Sequence, residues 1–198
     1  MRPIPLALCV LLIPAVALAA PPKPAPAQQP DQKAAQKKDT RPEIDRLFSQ
    51  LARAQSPEDA KPIEDKIAAH FRASGSASVD LLMARAQSVL AADKKVAKRL
   101  LEAVTKIAPN YSEGWRARAA LESVSGEDAA ALISLQRAVT VNPRHFVALG
   151  ELGAMLEDYG DKAGALKLYR RALALDPQME LAGRKVRELT QTVEGRDI

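Results

Sequence analysis

The sequence contains a single cysteine, two histidines and 4% aromatic residues. Each scarcity removes a class of function. Cys9 sits inside an apolar run near the start of the chain, a segment that export would remove. The remainder would then hold no thiol, which excludes disulfides, thiol nucleophiles and cysteine-ligated metals. His70 and His145 belong to different segments and neither has a partner at ligand spacing, so no metal site is expected. No glycine-rich loop cradles a phosphate, because Gly150 and Gly153 fall within a helical apolar pattern. No stretch rich in β-branched residues occurs, and 47% hydrophobic content with so few aromatics describes an alanine-rich helical chain. No nucleophile with an adjacent base, no cofactor motif and no acid–base pair stands out, so an enzyme is not expected.

Long apolar runs are also missing, with one exception. Arg2 is followed by an apolar stretch from Ile4 to Leu18 and by Ala17-Leu18-Ala19. This is the order of a secretory signal peptide with a small-x-small cleavage site, and cleavage is expected after Ala19. The run is shorter than the roughly 20 residues that cross a bilayer and is interrupted by Pro5 and Pro14. Lipid attachment at Cys9 does not fit, since Leu8 is too large for the preceding position. Residues 1–19 are therefore read as a signal peptide, with no stable membrane span afterwards and a periplasmic or secreted mature protein. The net charge of +5 comes from 29 basic and 24 acidic residues dispersed along the chain. Nucleic acid, which calls for a concentrated basic stripe, is not an expected partner.

The positive signals are periodic. Ala108-Pro109, Asn142-Pro143 and Asp176-Pro177 recur at intervals of 34 residues, a spacing that marks stacked helix-turn-helix repeats. With the three prolines aligned, Ala97, Ala131 and Ala165 share a column, as do Leu101, Leu135 and Tyr169, and Ile107, Val141 and Leu175. A fourth column holds Asp93, Glu127 and Asp161, where a carboxylate can satisfy the free amides of a helix start. Among first helices, Trp115 aligns with Leu149 and Ala119 with Gly153, while Gly126 and Gly160 mark the turns. In the first repeat the small residue becomes Ala86 if the turn is one residue shorter, with Ala91-Ala92 in place of glycine.

These residues resemble the tetratricopeptide repeat (TPR), whose motif carries a large residue, Leu-Gly, Tyr, Ala, Phe, Ala and Pro at fixed positions. The resemblance implies an all-α fold: a right-handed α-α superhelix of about three TPR units over 79–177 (79–111, 112–145 and 146–179). The order of segments is similar to a secreted repeat family of Gram-negative bacteria. Residues 20–40, rich in Pro, Ala, Gln and Lys, read as a solvated linker. Residues 41–75 read as a helical pair, a degenerate repeat capping the N-terminal end of the stack. Its stripes are Ile44, Leu47, Phe48 and Leu51, then Ile63, Ile67 and Phe71, the second helix opening at Ser56-Pro57 and containing Pro62. Residues 178–198 read as a C-terminal capping helix and tail, with Met179, Ala182, Val186, Leu189 and Val193 on one side.

By the register of that family, the concave surface is made by first helices and includes Met83, Gln87, Leu90, Glu113, Arg116, Ala117, Ala120, Val147, Gly150, Glu151 and Ala154. Chaperone-binding members hold a C-terminal carboxylate there with Lys, Asn and Arg; the corresponding positions here are Met83, Gln87, Ala117, Val147 and Glu151. The carboxylate clamp is absent, and Arg116 and Glu151 are expected to flank a floor of small residues. The resemblance thus implies a non-enzymatic adaptor that binds a peptide or helix of an envelope protein. A periplasmic holdase for unfolded proteins, or an enzyme with an unrecognised site, are the alternatives. Partner identity, oligomeric state and self-occupation of the groove by the N-terminal segment stay open at this point.

Overall fold

A computed structural model describes residues 41–195. Residues 1–40 and 196–198 lie outside the described residues, and with them the expected signal peptide and linker. Among the described residues there are nine helices and no strand: α1 (Arg41–Leu51), α2 (Pro57–Arg72), α3 (Ala77–Val89), α4 (Lys94–Ile107), α5 (Ser112–Val124), α6 (Asp128–Val141), α7 (Phe146–Asp158), α8 (Lys162–Leu175) and α9 (Glu180–Glu194). None is long and apolar enough to cross a membrane.

The helix ends follow from local chemistry. Each of α4, α6 and α8 stops at the residue before a proline, and Ala108, Asn142 and Asp176 all leave the helical region, with φ of −124°, −132° and −136°. Proline's ring disfavours helical backbone at the residue before it, so three identical sequence cues give three matching exits. At two of them the exit residue also accepts a hydrogen bond two residues on, Asn142 from the Arg144 amide and Asp176 from the Gln178 amide, both at 3.1 Å. At the helix starts, Asp93 accepts from the Val96 amide at 3.0 Å and Asp161 from Gly164 at 2.8 Å. Glu127 departs from that column: its side chain caps nothing and pairs with Lys98 of the preceding repeat instead, because its extra methylene carries the carboxylate past the amides. Ser56 caps α2 through the Asp59 amide at 3.1 Å, and α2 continues through Pro62. Gly126 and Gly160 take φ of +74° and +84° in the turns. The Ala91-Ala92 turn of the first repeat spans four residues, 90–93, against three in the other two, and holds no residue with positive φ.

Helices α3–α4, α5–α6 and α7–α8 form three antiparallel pairs, and α9 packs on α8. The small column Ala97, Ala131 and Ala165 is fully buried, with Leu101, Leu135 and Tyr169 beside it. Gly153 lets the Tyr169 ring approach so closely that a Cβ there would stand 3.1 Å from the ring. In the third column Ile107 is largely exposed rather than packed. Trp115, aligned with the buried Leu149, is only half-buried; its Nε1 donates to the Pro109 carbonyl at 2.9 Å, and Arg118 and Arg137 each lie 5.6 Å from its ring. Arg118 is also held in an ion pair. Its Nε donates to Glu122 at 2.7 Å; Glu122 is fully buried and also accepts from Ser134 at 2.6 Å. A buried carboxylate is tolerable only with such partners.

The N-terminal pair is the principal departure. It was expected to cap the stack ahead of α3; it folds back onto the second and third repeats. Leu47, Phe48, Leu51, Ala60 and Ile67 belong to the core built by α5 to α9, whereas Val79, Met83, Ala86, Ala97, Leu101 and Val104 form a separate core with Tyr111 and Leu121. The face of α3 explains this. With Ala86, Ala119 and Gly153 in one column, Leu81 aligns with Gly114, whose Cα faces Val104 of the preceding repeat. In the same register Arg85 and Ser88 align with Arg118 and the buried Leu121. The surface a preceding repeat would cover is thus two polar side chains around one leucine, which stays 71% exposed. It offers too little apolar area to hold the large stripes of α1 and α2.

Candidate functional site

All three phenylalanines of the chain converge where α1 and α2 meet the third repeat. Phe48 and Phe71 each lie 6.4 Å from Phe146, and the Phe71 ring lies 4.5 Å from that of His145. The Arg144 guanidinium sits 3.9 Å over Phe48 and pairs with Asp45, Gln178 Nε2 donates to the Ala54 carbonyl at 2.8 Å, and the Tyr111 hydroxyl donates to the Arg72 carbonyl at 2.7 Å. The last turn of α2, with Ala68, Phe71 and Arg72, therefore lies over the starts of α5 and α7. Between them only about 130 Å³ remains, lined also by Glu113, Arg116, His145, Phe146 and Val147.

Under this cover runs a charge network. Arg116 donates from Nε and one terminal nitrogen to both oxygens of Glu113, at 2.9 and 2.7 Å, and from the other to Glu151 at 2.9 Å. His145, itself buried, caps α7: its Nδ1 accepts the Ala148 amide at 3.3 Å. That bond requires an unprotonated Nδ1, so the ring proton sits on Nε2 and is donated to Glu113 at 3.0 Å. Burial pushes the Glu113 carboxyl up, but the hydrogen bonds from Arg116 and His145 outweigh it and hold the carboxyl down at about 2. For Glu151 the balance is reversed: burial raises it despite Arg116.

The sign of the consequence follows. A carboxyl whose folded pKa is depressed stabilises the fold above its unfolded value, 4.5, and loses that contribution as pH falls toward 2. Glu151, raised, contributes in the opposite sense and softens the effect. The stability difference between the protein and its Glu113→Gln variant is therefore expected to shrink by about 2–3 kcal/mol between pH 5 and pH 2. Urea unfolding at stepped pH measures it, and a difference independent of pH would refute the assignment.

The eleven residues expected on the open face are not all open. Met83, Glu113 and Gly150 are buried. Met83 packs within the first core, and the Met179 side chain lies over Gly150, where a Cβ would stand 2.8 Å from its methyl carbon. Ala117 and Val147 are half-buried against the two cores, and Arg116 is held by its two carboxylates. Gln87 and Leu90 are exposed at the far end of α3. What remains accessible is the second half of the surface shared by α5 and α7, a cleft of about 320 Å³ floored by Ala120 and Ala154 and walled by Val124, Met155, Glu151 and Asp158. Val124 and Met155 were not singled out from the sequence; Val124, Met155 and Asp158 follow Ala120, Glu151 and Ala154 by four residues on the same helices, the signal that finds them. The Glu113–His145 contact had no sequence signal, because it joins two repeats through positions that no column links. Among the described residues, no group of three or more His, Cys, Asp or Glu could hold a metal ion.

No family model matches the chain. A curated TPR repeat-containing protein of Rhizobium etli is 31% identical over 153 residues, spanning 77% of this chain and 75% of that protein. The chain accordingly belongs to the TPR repeat-containing proteins. Solved structures agree on the fold: the first TPR of Spaghetti (RPAP3) bound to the HSP90 peptide SRMEEVD superposes with a TM-score of 0.54 at 20% identity, over 59% of this chain and 93% of that one. The Sgt2 TPR domain from Aspergillus fumigatus gives 0.53 at 23% identity, over 60% and 81%. MamA gives 0.54 at 17% identity, over 72% and 86%.

Proposed function

We propose that this protein is a non-enzymatic protein-interaction module that holds a peptide or helix of a partner in the α5–α7 cleft. The observation that carries this reading is that cleft: two first helices approach over alanines at 120 and 154, leaving an open apolar floor that the N-terminal pair stops short of covering. Support comes from the RPAP3 repeat domain, which shares the fold and was solved with a bound peptide. The signal-like residues 1–19 point to a periplasmic or secreted adaptor that joins envelope proteins. An acidic C-terminal tail is not the expected ligand. The positions that would grip its carboxylate hold a buried Met83, a half-buried Ala117 and Val147, Gln87, and a like-charged Glu151.

Crosslinking capture from periplasmic extract tests this, with Ala120→Trp as control because Ala120 is exposed and the change fills the cleft without entering the core. One partner enriched by the unmodified protein alone is the expected result. Indiscriminate capture by both proteins would favour a holdase, and capture of the same partner by both would move the site elsewhere.

A further inference from the structure

The cleft's charge restricts what it can take. Its ionisable lining consists of Glu151 and Asp158. Arg116 is already engaged by Glu113 and Glu151, whereas Lys94, whose Nζ donates to the Val124 carbonyl at 3.1 Å, keeps its charge at that end of the cleft. The Glu113–Arg116–Glu151 group carries one net negative charge and Asp158 adds another, against the single positive charge of Lys94, on a chain whose total is +5. Its volume of about 320 Å³ is at the foot of the roughly 300–1,000 Å³ range of small-molecule sites. One wall is extended by the exposed Val124, so an apolar side chain carried on a larger partner fits better than a free small molecule. Resting on the interaction reading above, we propose that the α5–α7 cleft takes a cationic amphipathic segment, one apolar side chain set on Ala120 and Ala154 and flanking Lys or Arg laid against Asp158 and Glu151. This is the opposite charge preference to the acidic peptide in the RPAP3 structure.

The test uses three labelled peptides with the same apolar spacing, flanked by Lys, Gln or Glu, titrated into the protein by fluorescence anisotropy. The Lys peptide is expected to bind at least tenfold more tightly than the Glu peptide and to weaken as salt is raised. Asp158→Lys, an exposed position, is expected to cost about fivefold or more with an unchanged melting temperature, and Ala120→Trp to abolish binding. Equal or tighter binding of the Glu peptide, still lost in Ala120→Trp, overturns the charge assignment but leaves the interaction cleft standing. Lys-peptide binding indifferent to both variants overturns the location. No binding by any peptide overturns both. Self-association that Ala120→Trp abolishes would make a second copy of the chain the occupant and overturn the proposal.

Discussion

Arg116→Leu is expected to lower the unfolding free energy by about 3–5 kcal/mol, the cost of leaving a buried carboxylate without its cation. Glu113 is only 6% exposed and takes both of its shortest hydrogen bonds from that guanidinium. His145 donates one bond as a neutral ring and cannot replace the charge. Removing the outer partner should matter far less: Glu151 is 37% exposed at its side chain, so Glu151→Gln is expected to cost no more than about 1 kcal/mol. Urea denaturation of both variants at pH 7 measures the contrast, and equal losses would show that Glu113 does not depend on Arg116. The motif register had set Arg116 and Glu151 alike, as open flanks of a floor of small residues. The structure corrects that, because Arg116→Glu would set a second carboxylate against buried Glu113.

Leu51→Ala, in the first helix, is expected to cost about 2–5 kcal/mol and to lower a single cooperative transition of the whole repeat domain. Leu51 is fully buried in the core that contains Phe146, Leu149 and Leu189, so the helical pair and the third repeat cannot separate without exposing both. A capping pair ahead of α3 would behave differently, melting or being clipped by protease before the repeats. Circular dichroism and limited proteolysis during thermal unfolding distinguish the two; an early, separate transition of residues 41–72 would contradict the shared core.

The repeats were legible because their signals are local. Three X-Pro steps stop three helices, Asp93 and Asp161 start two, and a buried alanine column follows from the 34-residue period. The stripes Leu47, Phe48, Leu51 and Ile67 were read correctly as buried, but a stripe states only that a helix has an apolar side, not what covers it. The cleft was half legible. Ala120, Glu151 and Ala154 came from the register, while Met83, Glu113 and Gly150, drawn from the same register, are lost to the core, to the Arg116–His145 network and to Met179.

By itself, then, the sequence determined the helices, their ends and the stacking period, since these depend on backbone preference and on contacts between neighbours a few turns or one repeat apart. Only the tertiary structure decided that α1 and α2 turn back over α5 and α7, that Glu113 is buried beneath them, and that binding surface survives at Ala120 and Ala154 alone of the floor. Those outcomes compare burial on two competing faces, the largely polar face of α3 and the aromatic edge around Phe146. A difference in buried apolar area between distant surfaces leaves no mark in the local pattern of either.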